Sequence, residues 1–371
     1  MQKQTAATTM LLGARGNFRV HRIREFDGLR AVAVTMVVLF HAFRGAALTG
    51  GLIGVDIFFV LSGYLITTLL VIEQKKTGRI SLLKFYARRA CRLVPALWIV
   101  LAFCLSLAFW STKPGEHLTT IAEAATYTIN WYVALGIGPP GWIIGHTWSL
   151  AIEEQFYLIW PIILIVALSF GPRAPIRVAI AIFALSTAMC VLLSAFNFSV
   201  VRIYDGFDTR SSELFVGCIL ALISLPPTTA HLLTRSWIVP VTICLIVVFT
   251  LHLNSRFLGF GGLQFVALMA AWMIVAAQGD TVFGSVLRQR HVVYIGRISY
   301  GIYLWHYVLL EMLVKRFGAP LAALIGVPLC VALAAASFEW VERPILRMSA
   351  RYFSPTENSA MRSLASDPAS H

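Results

Sequence analysis

Arg30 and His41, in the segment FDGLRAVAVTMVVLFH, are the first residues whose types and spacing suit chemistry. They lie eleven residues apart. That spacing is close to three full helical turns, so we expect both side chains on one helical face, ~16 Å apart along the axis. An imidazole can act as a general base, and a guanidinium can bind a phosphate. The structural alternative is an arginine that reaches the membrane interface and a histidine satisfied by neighbouring polar groups.

Carboxylates and a second imidazole are expected at the depth of His41. Asp56 begins the second apolar segment, while Glu153 and Glu154 follow His146 in HTWSLAIEEQFYLIWP. His146 and Glu153 share a helical face, whereas Glu154 points about 100° away. A carboxylate can fix the tautomer of an imidazole while the other ring nitrogen takes a proton. The predicted catalytic residues are therefore His41, Asp56, Glu153 and Glu154. A structural polar network is the alternative.

A basic cluster at the start of the third apolar segment is a candidate anion site. Arg88, Arg89 and Arg92 occur in FYARRACRLVPALW. If this segment is helical, Arg89 and Arg92 are i,i+3 neighbours whose guanidinium groups can converge on a phosphate. Charge that only orients the helix in the membrane is the alternative. Together with Arg30, these three arginines are the predicted cofactor-binding residues.

Other polar and aromatic residues of the apolar segments are candidates for substrate binding or for structural roles. The predicted substrate-binding residues are His146, Trp148, Ser149, Tyr157 and His306. Near the end of the last apolar segment, FEWVERPILR contains Glu339, Glu342 and Arg343. We interpret these three as ion pairs at a helix end first, and as residues of a transfer pathway second.

Membrane helices must position these residues. Of the 371 residues, 58% are apolar and 13% are charged, and the mean hydropathy is +0.77. Such a chain has too few polar side chains to cover a water-soluble surface. Ten apolar segments approach the length that crosses a bilayer: approximately 29–45, 53–72, 93–111, 148–169, 175–195, 209–225, 236–252, 262–278, 296–315 and 319–338. The sixth is the weakest, because Glu213 lies inside it.

The sequence predicts an all-α polytopic membrane protein with about ten transmembrane helices. Residues 26–347 form the membrane domain, between an N-terminal tail (1–25) and a disordered C-terminal tail (348–371). Ten spans place 23 of the 30 Lys and Arg on one side, so the positive-inside rule makes both termini cytoplasmic. Because topology accounts for the net charge of +13, nucleic-acid binding is excluded. Residues 112–147, which include Trp142, are expected to form a long outer loop that packs over the bundle or covers a site.

Six segments together resemble the acyltransferase 3 family of integral membrane acyltransferases. They are FDGLRAVAVTMVVLFHA, GGLIGVDIFFVLSGYLIT, FYARRACRLVPALW, HTWSLAIEEQFYLIWP, GRISYGIYLWH and FEWVERPILR, and they follow the family's order. The resemblance places an Arg-x10-His motif on Arg30 and His41, and an Arg-x-x-Arg motif on Arg89 and Arg92. It implies about ten spans in a bacterial inner membrane.

The resemblance also implies the reaction. Family members move an acyl group, commonly acetyl, from cytosolic acyl-CoA to a hydroxyl of a glycan or lipid-linked saccharide at the extracytoplasmic face. Arg30, Arg89 and Arg92 would then bind the CoA phosphates. His41 would deprotonate the acceptor hydroxyl, oriented by one of the three carboxylates, or would carry the acyl group in a two-step route. About 30 residues follow the last segment, which implies a single acyltransferase domain.

Two other functions stay open. A proton-coupled transporter or flippase with a relay through His41 and Glu153 would also need many spans and intramembrane ionisable groups. Transporters often have repeated halves, which this sequence lacks, and a carrier gives no reason for the basic cluster. A family member that acylates a small molecule such as a macrolide, or that moves succinyl or a longer acyl group, is the other alternative. No metal is expected, because neither the six cysteines nor the histidines have metal-site spacing.

Overall fold

The computed structural model describes residues 23–44, 48–137, 143–250 and 257–353. Every regular element in these ranges is helical, which confirms the all-α prediction for this part of the chain. Short 3₁₀ and π-helical turns occur at Gly145–Thr147, Leu258–Gly262 and Phe338–Glu342. The α-helices are Arg24–Ala42 (α1), Ile53–Thr77 (α2), Leu82–Ala108 (α3), Pro114–Ala125 (α4), Ile129–Leu135 (α5), Trp148–Ser169 (α6), Ala174–Ala195 (α7), Val200–Asp205 (α8), Phe207–Leu222 (α9), Pro227–Arg235 (α10), Ile238–Thr250 (α11), Leu263–Ala277 (α12), Val282–Leu287 (α13), Arg290–Arg297 (α14), Ser299–Phe317 (α15), Ala319–Ser337 (α16) and Arg343–Phe353 (α17).

Each of the ten apolar segments coincides with one of these helices. Among the described residues, six helical stretches are each long and apolar enough to cross a membrane. α10 and α11, which meet at a bend of 49°, are together a candidate for a seventh span. The remaining three segments correspond to α1, α9 and α15, which are shorter or more highly charged. The chain is therefore multi-pass, and the count of about ten spans with cytoplasmic termini stays a prediction. The six stretches that are long and apolar enough to cross a membrane are Ile53–Thr77, Leu82–Ala108, Gly145–Ser169, Ala174–Ala195, Gly259–Ala277 and Ala319–Ser349.

Helix α2 forms the centre of the bundle. In its apolar stretch 67% of the residues are buried, whereas in that of α7 only 22% are, so α7 contributes far less to the interior of the bundle. α2 packs closely against α9. A Cβ on Gly63 would collide with the carbonyl oxygen of Leu214, and one on Gly217 would collide with that of Val60. Small residues let membrane helices approach in this way, and here the approach brings the polar residues of α9 against α2.

The described parts of the connection, residues 112–137 and 143–147, are more ordered than the predicted loop. They contain α4 and α5, and Gly136 ends α5 in the left-handed region with φ of 63°. α5 packs on α6 and α8. On α6, Gln155 donates hydrogen bonds to the carbonyl oxygen of Tyr127 and to Oδ1 of Asn130, both at 2.8 Å. The connection therefore packs over the bundle, one of the two arrangements expected for it.

The C-terminal helix α17 continues to Phe353, so the predicted domain boundary at residue 347 lies inside a helix. The helix persists because the ten residues after Pro344 contain neither proline nor glycine. At its start, Arg343 forms the expected ion pair at the helix end with Glu339 in the preceding turn. The N-terminal tail before residue 23, the tail from residue 354 and Trp142 lie outside the described residues.

Candidate active site

A cavity opens among α1, α2, α3, α6 and α15, the helices that carry most of the predicted site residues. The charged residues on its wall are Arg30, Arg89, Arg92 and Glu153. The polar and aromatic residues are Ser62, Ser149, Tyr157, Ser299, Tyr300 and Tyr303, and the apolar remainder is Val55, Phe58, Phe59, Leu93 and Leu150. A wall with three cations and a large apolar part suits a ligand that is anionic at one end and apolar elsewhere.

The three arginines of the cavity come from two helices. Arg30 lies on α1, while Arg89 and Arg92 lie on α3 and converge on the same cavity, as their i,i+3 spacing predicts. The guanidinium of Arg89 lies 4.9 Å from the centre of the Tyr157 ring. At that distance the ring stabilises the cation and limits its rotamers. The cluster is therefore partly preorganised for an anion.

The adjacent carboxylates of α6 face different cavities. Ser62 Oγ donates a hydrogen bond of 2.5 Å to Glu153 Oε1, and the Tyr157 hydroxyl donates to Ser62 Oγ at 3.1 Å. Glu154 instead lines a second cavity together with Tyr127, and the two cavities share Arg89. Burial and the nearby Glu154 carboxylate raise the pKa of the Tyr127 phenol, which therefore remains a hydrogen-bond donor at neutral pH.

Three histidines from three parts of the chain form a cluster. His41 ends α1, His146 lies in the turn before α6, and His306 lies on α15. His306 Nε2 is 3.3 Å from His41 Nδ1, and the His146 and His306 ring centres are 5.3 Å apart. The ring centre of Tyr307 lies 5.1 Å from the ring centres of both His41 and His146. His146 is 5% exposed, and neither of its ring nitrogens makes a hydrogen bond within the described part of the chain.

Tyr303 connects the cavity to the histidine cluster. It lines the cavity, and its ring centre lies 5.3 Å from that of His306. Its hydroxyl donates to the carbonyl oxygen of His146 at 2.7 Å and accepts from Ser149 Oγ at 2.7 Å. Arg30 and His41 lie on one helix, ~16 Å apart along its axis. The cations thus line the cavity, and the imidazoles lie beside it, in contact with Tyr303.

Arg88 and Asp56 are among the predicted residues that lie away from this cavity. Arg88 has a side chain that is 44% exposed and lies 3.6 Å from the carboxylate of Glu73. Asp56 lies 3.0 Å from the guanidinium of Arg210, which is also 3.2 Å from Glu213, and all three are almost fully buried. The structure therefore pairs Asp56 with α9 and not with His41. The same contact explains how α9 tolerates Glu213 inside an apolar segment.

Trp148 belongs to the surroundings of that buried ion-pair trio. Its ring lies 5.7 Å from the guanidinium of Arg210 and 4.9 Å from the ring of Tyr204. Among the other predicted substrate-binding residues, Ser149 and Tyr157 line the cavity, while His146 and His306 belong to the cluster beside it. Trp148 thus packs where α6 meets α9, away from the cavity wall.

Sequence reasoning missed Ser62 and Tyr303. Tyr303 had a signal, because Ser299, Tyr303 and His306 recur at helical spacing and form a polar stripe on the first half of α15. Ser62 is one hydroxyl in an apolar run, and only its tertiary contact with Glu153 reveals its role. No group of three or more His, Cys, Asp or Glu in the described ranges is arranged to hold a metal ion.

Comparison with known proteins identifies one protein family. The acyltransferase 3 model, described as an acyltransferase domain, matches residues 23–339. This range includes all the cavity and cluster residues described above. No solved structure matches the chain.

Several bacterial proteins are similar to the chain. YrhL of Bacillus subtilis is 35% identical, the peptidoglycan O-acetyltransferase OatA of Listeria monocytogenes is 34% identical, and the O-acetyltransferase OatA of Staphylococcus aureus is 31% identical. The matches cover 90%, 87% and 88% of this chain, respectively. They cover 56%, 56% and 58% of the relatives, so the chain spans somewhat more than half of their length.

Proposed function

The chain belongs to the acyltransferase 3 family, and we propose that it is a membrane O-acetyltransferase of the bacterial inner membrane. In this proposal acetyl-CoA in the cytosol is the donor, and a hydroxyl of a glycan or lipid-linked saccharide outside the membrane is the acceptor. The family match and the relatives that are named O-acetyltransferases support the transfer. The observation that carries the proposal is a cavity that is lined by three arginines and by Tyr303, whose ring packs against the histidine cluster.

The donor is proposed to bind with its phosphates at Arg30, Arg89 and Arg92. One guanidinium can donate two parallel hydrogen bonds to a phosphate group. Three guanidinium groups on one wall can therefore neutralise much of the charge of CoA. The extended pantetheine arm is long enough to follow α1 over the ~16 Å that separate Arg30 from His41. The thioester would then lie near Tyr303 and the histidines. No metal is required for this arrangement.

His41 is proposed as the general base. Its imidazole takes the proton of the acceptor hydroxyl, whose oxygen attacks the acyl carbonyl. The new C–O bond forms, the C–S bond breaks, and the CoA thiolate recovers the proton from the imidazolium. Glu153 lies in the donor cavity on the Ser62 hydroxyl, and we propose that it holds Ser62 and Tyr157 in place beside Arg89.

The acceptor is proposed to be a cell-envelope glycan. Two relatives, YrhL and the Listeria OatA, carry peptidoglycan in their names, which makes peptidoglycan fragments the first acceptors to test. His146 is proposed to contact an acceptor hydroxyl, because its buried ring nitrogens have no hydrogen-bond partner within the described part of the chain.

Donor and acceptor can be tested with purified protein in lipid vesicles. Labelled acetyl-CoA is supplied with peptidoglycan fragments or lipid-linked oligosaccharide, and with labelled succinyl-CoA as the competing donor. We expect acetyl label on the saccharide as an alkali-labile ester. A succinyl ester formed in preference would refute the donor assignment. If neither saccharide becomes labelled and a macrolide is acylated instead, the proposed glycan acceptor is refuted.

A further inference from the structure

We propose that His306 is a positioning residue that fixes the tautomer of His41 and shares the charge of its imidazolium. The inference rests on the proposed function, in which His41 is the base. It replaces the expected carboxylate partner of His41 with a second imidazole. Two hydrogen bonds in the histidine cluster carry the argument.

The first hydrogen bond defines the protonation of His306. Its Nδ1 lies 2.6 Å from the carbonyl oxygen of Tyr303. A carbonyl oxygen only accepts, so Nδ1 must carry the hydrogen. In the neutral ring Nε2 then has a free lone pair, and this atom faces His41 Nδ1 at 3.3 Å. His306 is 0% exposed, so its ring is held in this orientation by the surrounding protein.

The second hydrogen bond defines the protonation of His41. Its Nδ1 lies 2.9 Å from the carbonyl oxygen of Val37, one turn earlier on α1. Nδ1 therefore also carries a hydrogen, which is shared between two acceptors, the Val37 oxygen and His306 Nε2. The lone pair of His41 is left on Nε2, the nitrogen that has to receive a proton from the acceptor hydroxyl. The neutral cluster thus presents the base in its competent tautomer.

The contact between His41 Nδ1 and His306 Nε2 also stabilises His41 when it is protonated. A proton on Nε2 makes the ring an imidazolium, whose Nδ1–H becomes a stronger donor to the lone pair of His306. The positive charge is thereby shared with a second ring, and no proton has to leave the cluster. When Nε2 returns its proton to the departing thiolate, both rings recover their starting tautomers, so the cycle balances.

The carboxylates are not placed to perform this function. Across the described ranges His41 makes no hydrogen bond to a carboxylate, since Asp56 pairs with Arg210 and Glu153 accepts from Ser62. Glu154 lines the second cavity. An imidazole partner is also compatible with an apolar surrounding, because it is neutral when His41 is neutral. A carboxylate there would be a buried charge without a permanent counterion.

Two amide substitutions at one position separate the two hydrogen bonds. His306→Asn keeps an amide nitrogen near the position of Nδ1, and this nitrogen can still donate to the carbonyl oxygen of Tyr303. The variant has no acceptor for His41 Nδ1–H. His306→Gln carries its terminal amide one carbon farther out, where an oxygen can accept from His41 Nδ1–H. Both variants are polar and neutral, so they are matched in charge and chemistry. Val308→Ala, in the buried core of the same helix, is the control for loss of packing.

The assay measures kcat, KM for acetyl-CoA and acetyl-CoA binding of the purified variants in vesicles. We expect His306→Asn to lower kcat about 10- to 100-fold, the range seen when a metal-binding histidine loses the partner of its other ring nitrogen, with KM and binding unchanged. His306→Gln should retain substantially more activity than His306→Asn. In the His41→Ala background both substitutions should leave the residual rate unchanged, because His306 acts through His41.

Each outcome decides a separate claim. Equal activity of the Asn and Gln variants, whether high or low, would overturn the proposal for His306. So would an equal fold-loss with and without His41. If Val308→Ala lowers kcat as much as His306→Asn, the effect is one of packing and the proposal fails. A His41→Ala variant with the wild-type rate would instead refute the proposed base, which keeps the two failures distinguishable.

Discussion

Arg89→Ala is the sharpest perturbation of the proposed donor site. The guanidinium lies on the wall of the cavity, 4.9 Å from the Tyr157 ring centre, and its neighbours Arg30 and Arg92 remain after the substitution. We expect weaker binding of acetyl-CoA with little change in kcat, because the phosphates lie far from the reacting carbonyl. An interaction with the phosphates stabilises the bound ground state and the transition state equally, so its loss raises KM and leaves kcat unchanged.

The magnitude follows from the type of interaction. A hydrogen bond to a charged group contributes about 1.5–3 kcal/mol, and each 1.4 kcal/mol changes the affinity tenfold. Arg89 is half-buried, so solvent screens part of its charge and the lower part of this range applies. We therefore expect the Kd for acetyl-CoA to rise roughly 10- to 30-fold. Arg89→Lys should fall between, because it keeps the charge but loses the planar fork.

Equilibrium binding of labelled acetyl-CoA to the purified protein measures this directly, with KM from initial rates as a second readout. Lys84→Ala is the matched control, since Lys84 is an exposed cation on the same helix. Its Kd should equal that of the wild type. An unchanged Kd for Arg89→Ala would refute the phosphate site. Equal losses for Arg89→Ala and Lys84→Ala would also refute it, because surface charge and not the cavity would then determine binding.

Three further predictions test other parts of the account. Arg88→Ala should leave the Kd for acetyl-CoA within about twofold, because Arg88 pairs with Glu73 outside the cavity and an exposed pair contributes about 0–1 kcal/mol; a loss like that of Arg89→Ala would contradict this. Asp56→Asn should destabilise the fold by about 3–5 kcal/mol, because it breaks a buried pair. Thermal unfolding in detergent measures the loss, with Asp208→Asn, whose pair with Arg202 is partly exposed, as the milder control. Single cysteines at Arg79 and Thr119, both exposed, should label from opposite sides of the membrane in a background without native cysteines. Labelling from one side would overturn the predicted topology.

The sequence predicted the helices and the shared faces because both follow from local periodicity. The i,i+3 spacing places Arg89 and Arg92 on one wall, and the 100° step separates Glu153 from Glu154. The ordered outer connection was not predicted. Its two helices are short, and they are stabilised by contacts with α6, such as that of Gln155 with Asn130.

The partners of the ionisable groups were the part that sequence could not reveal. Asp56 was expected beside His41, but a close contact between α2 and α9 places it on Arg210. His306 and His41 are 265 residues apart in the chain, so only helix packing brings their rings together. The position of a residue along its helix predicts its depth in the membrane. Which residue lies beside it at that depth depends on how the helices are arranged around one another, which the sequence does not show.

The central claim is that His41 transfers the proton in acyl transfer from acetyl-CoA to an envelope saccharide. The most direct test is the initial rate of label transfer from acetyl-CoA to the saccharide in vesicles that contain wild-type protein or His41→Ala at equal amounts. We expect a loss of about 10²- to 10⁴-fold, with acetyl-CoA binding retained. Transfer by His41→Ala at the wild-type rate would contradict it.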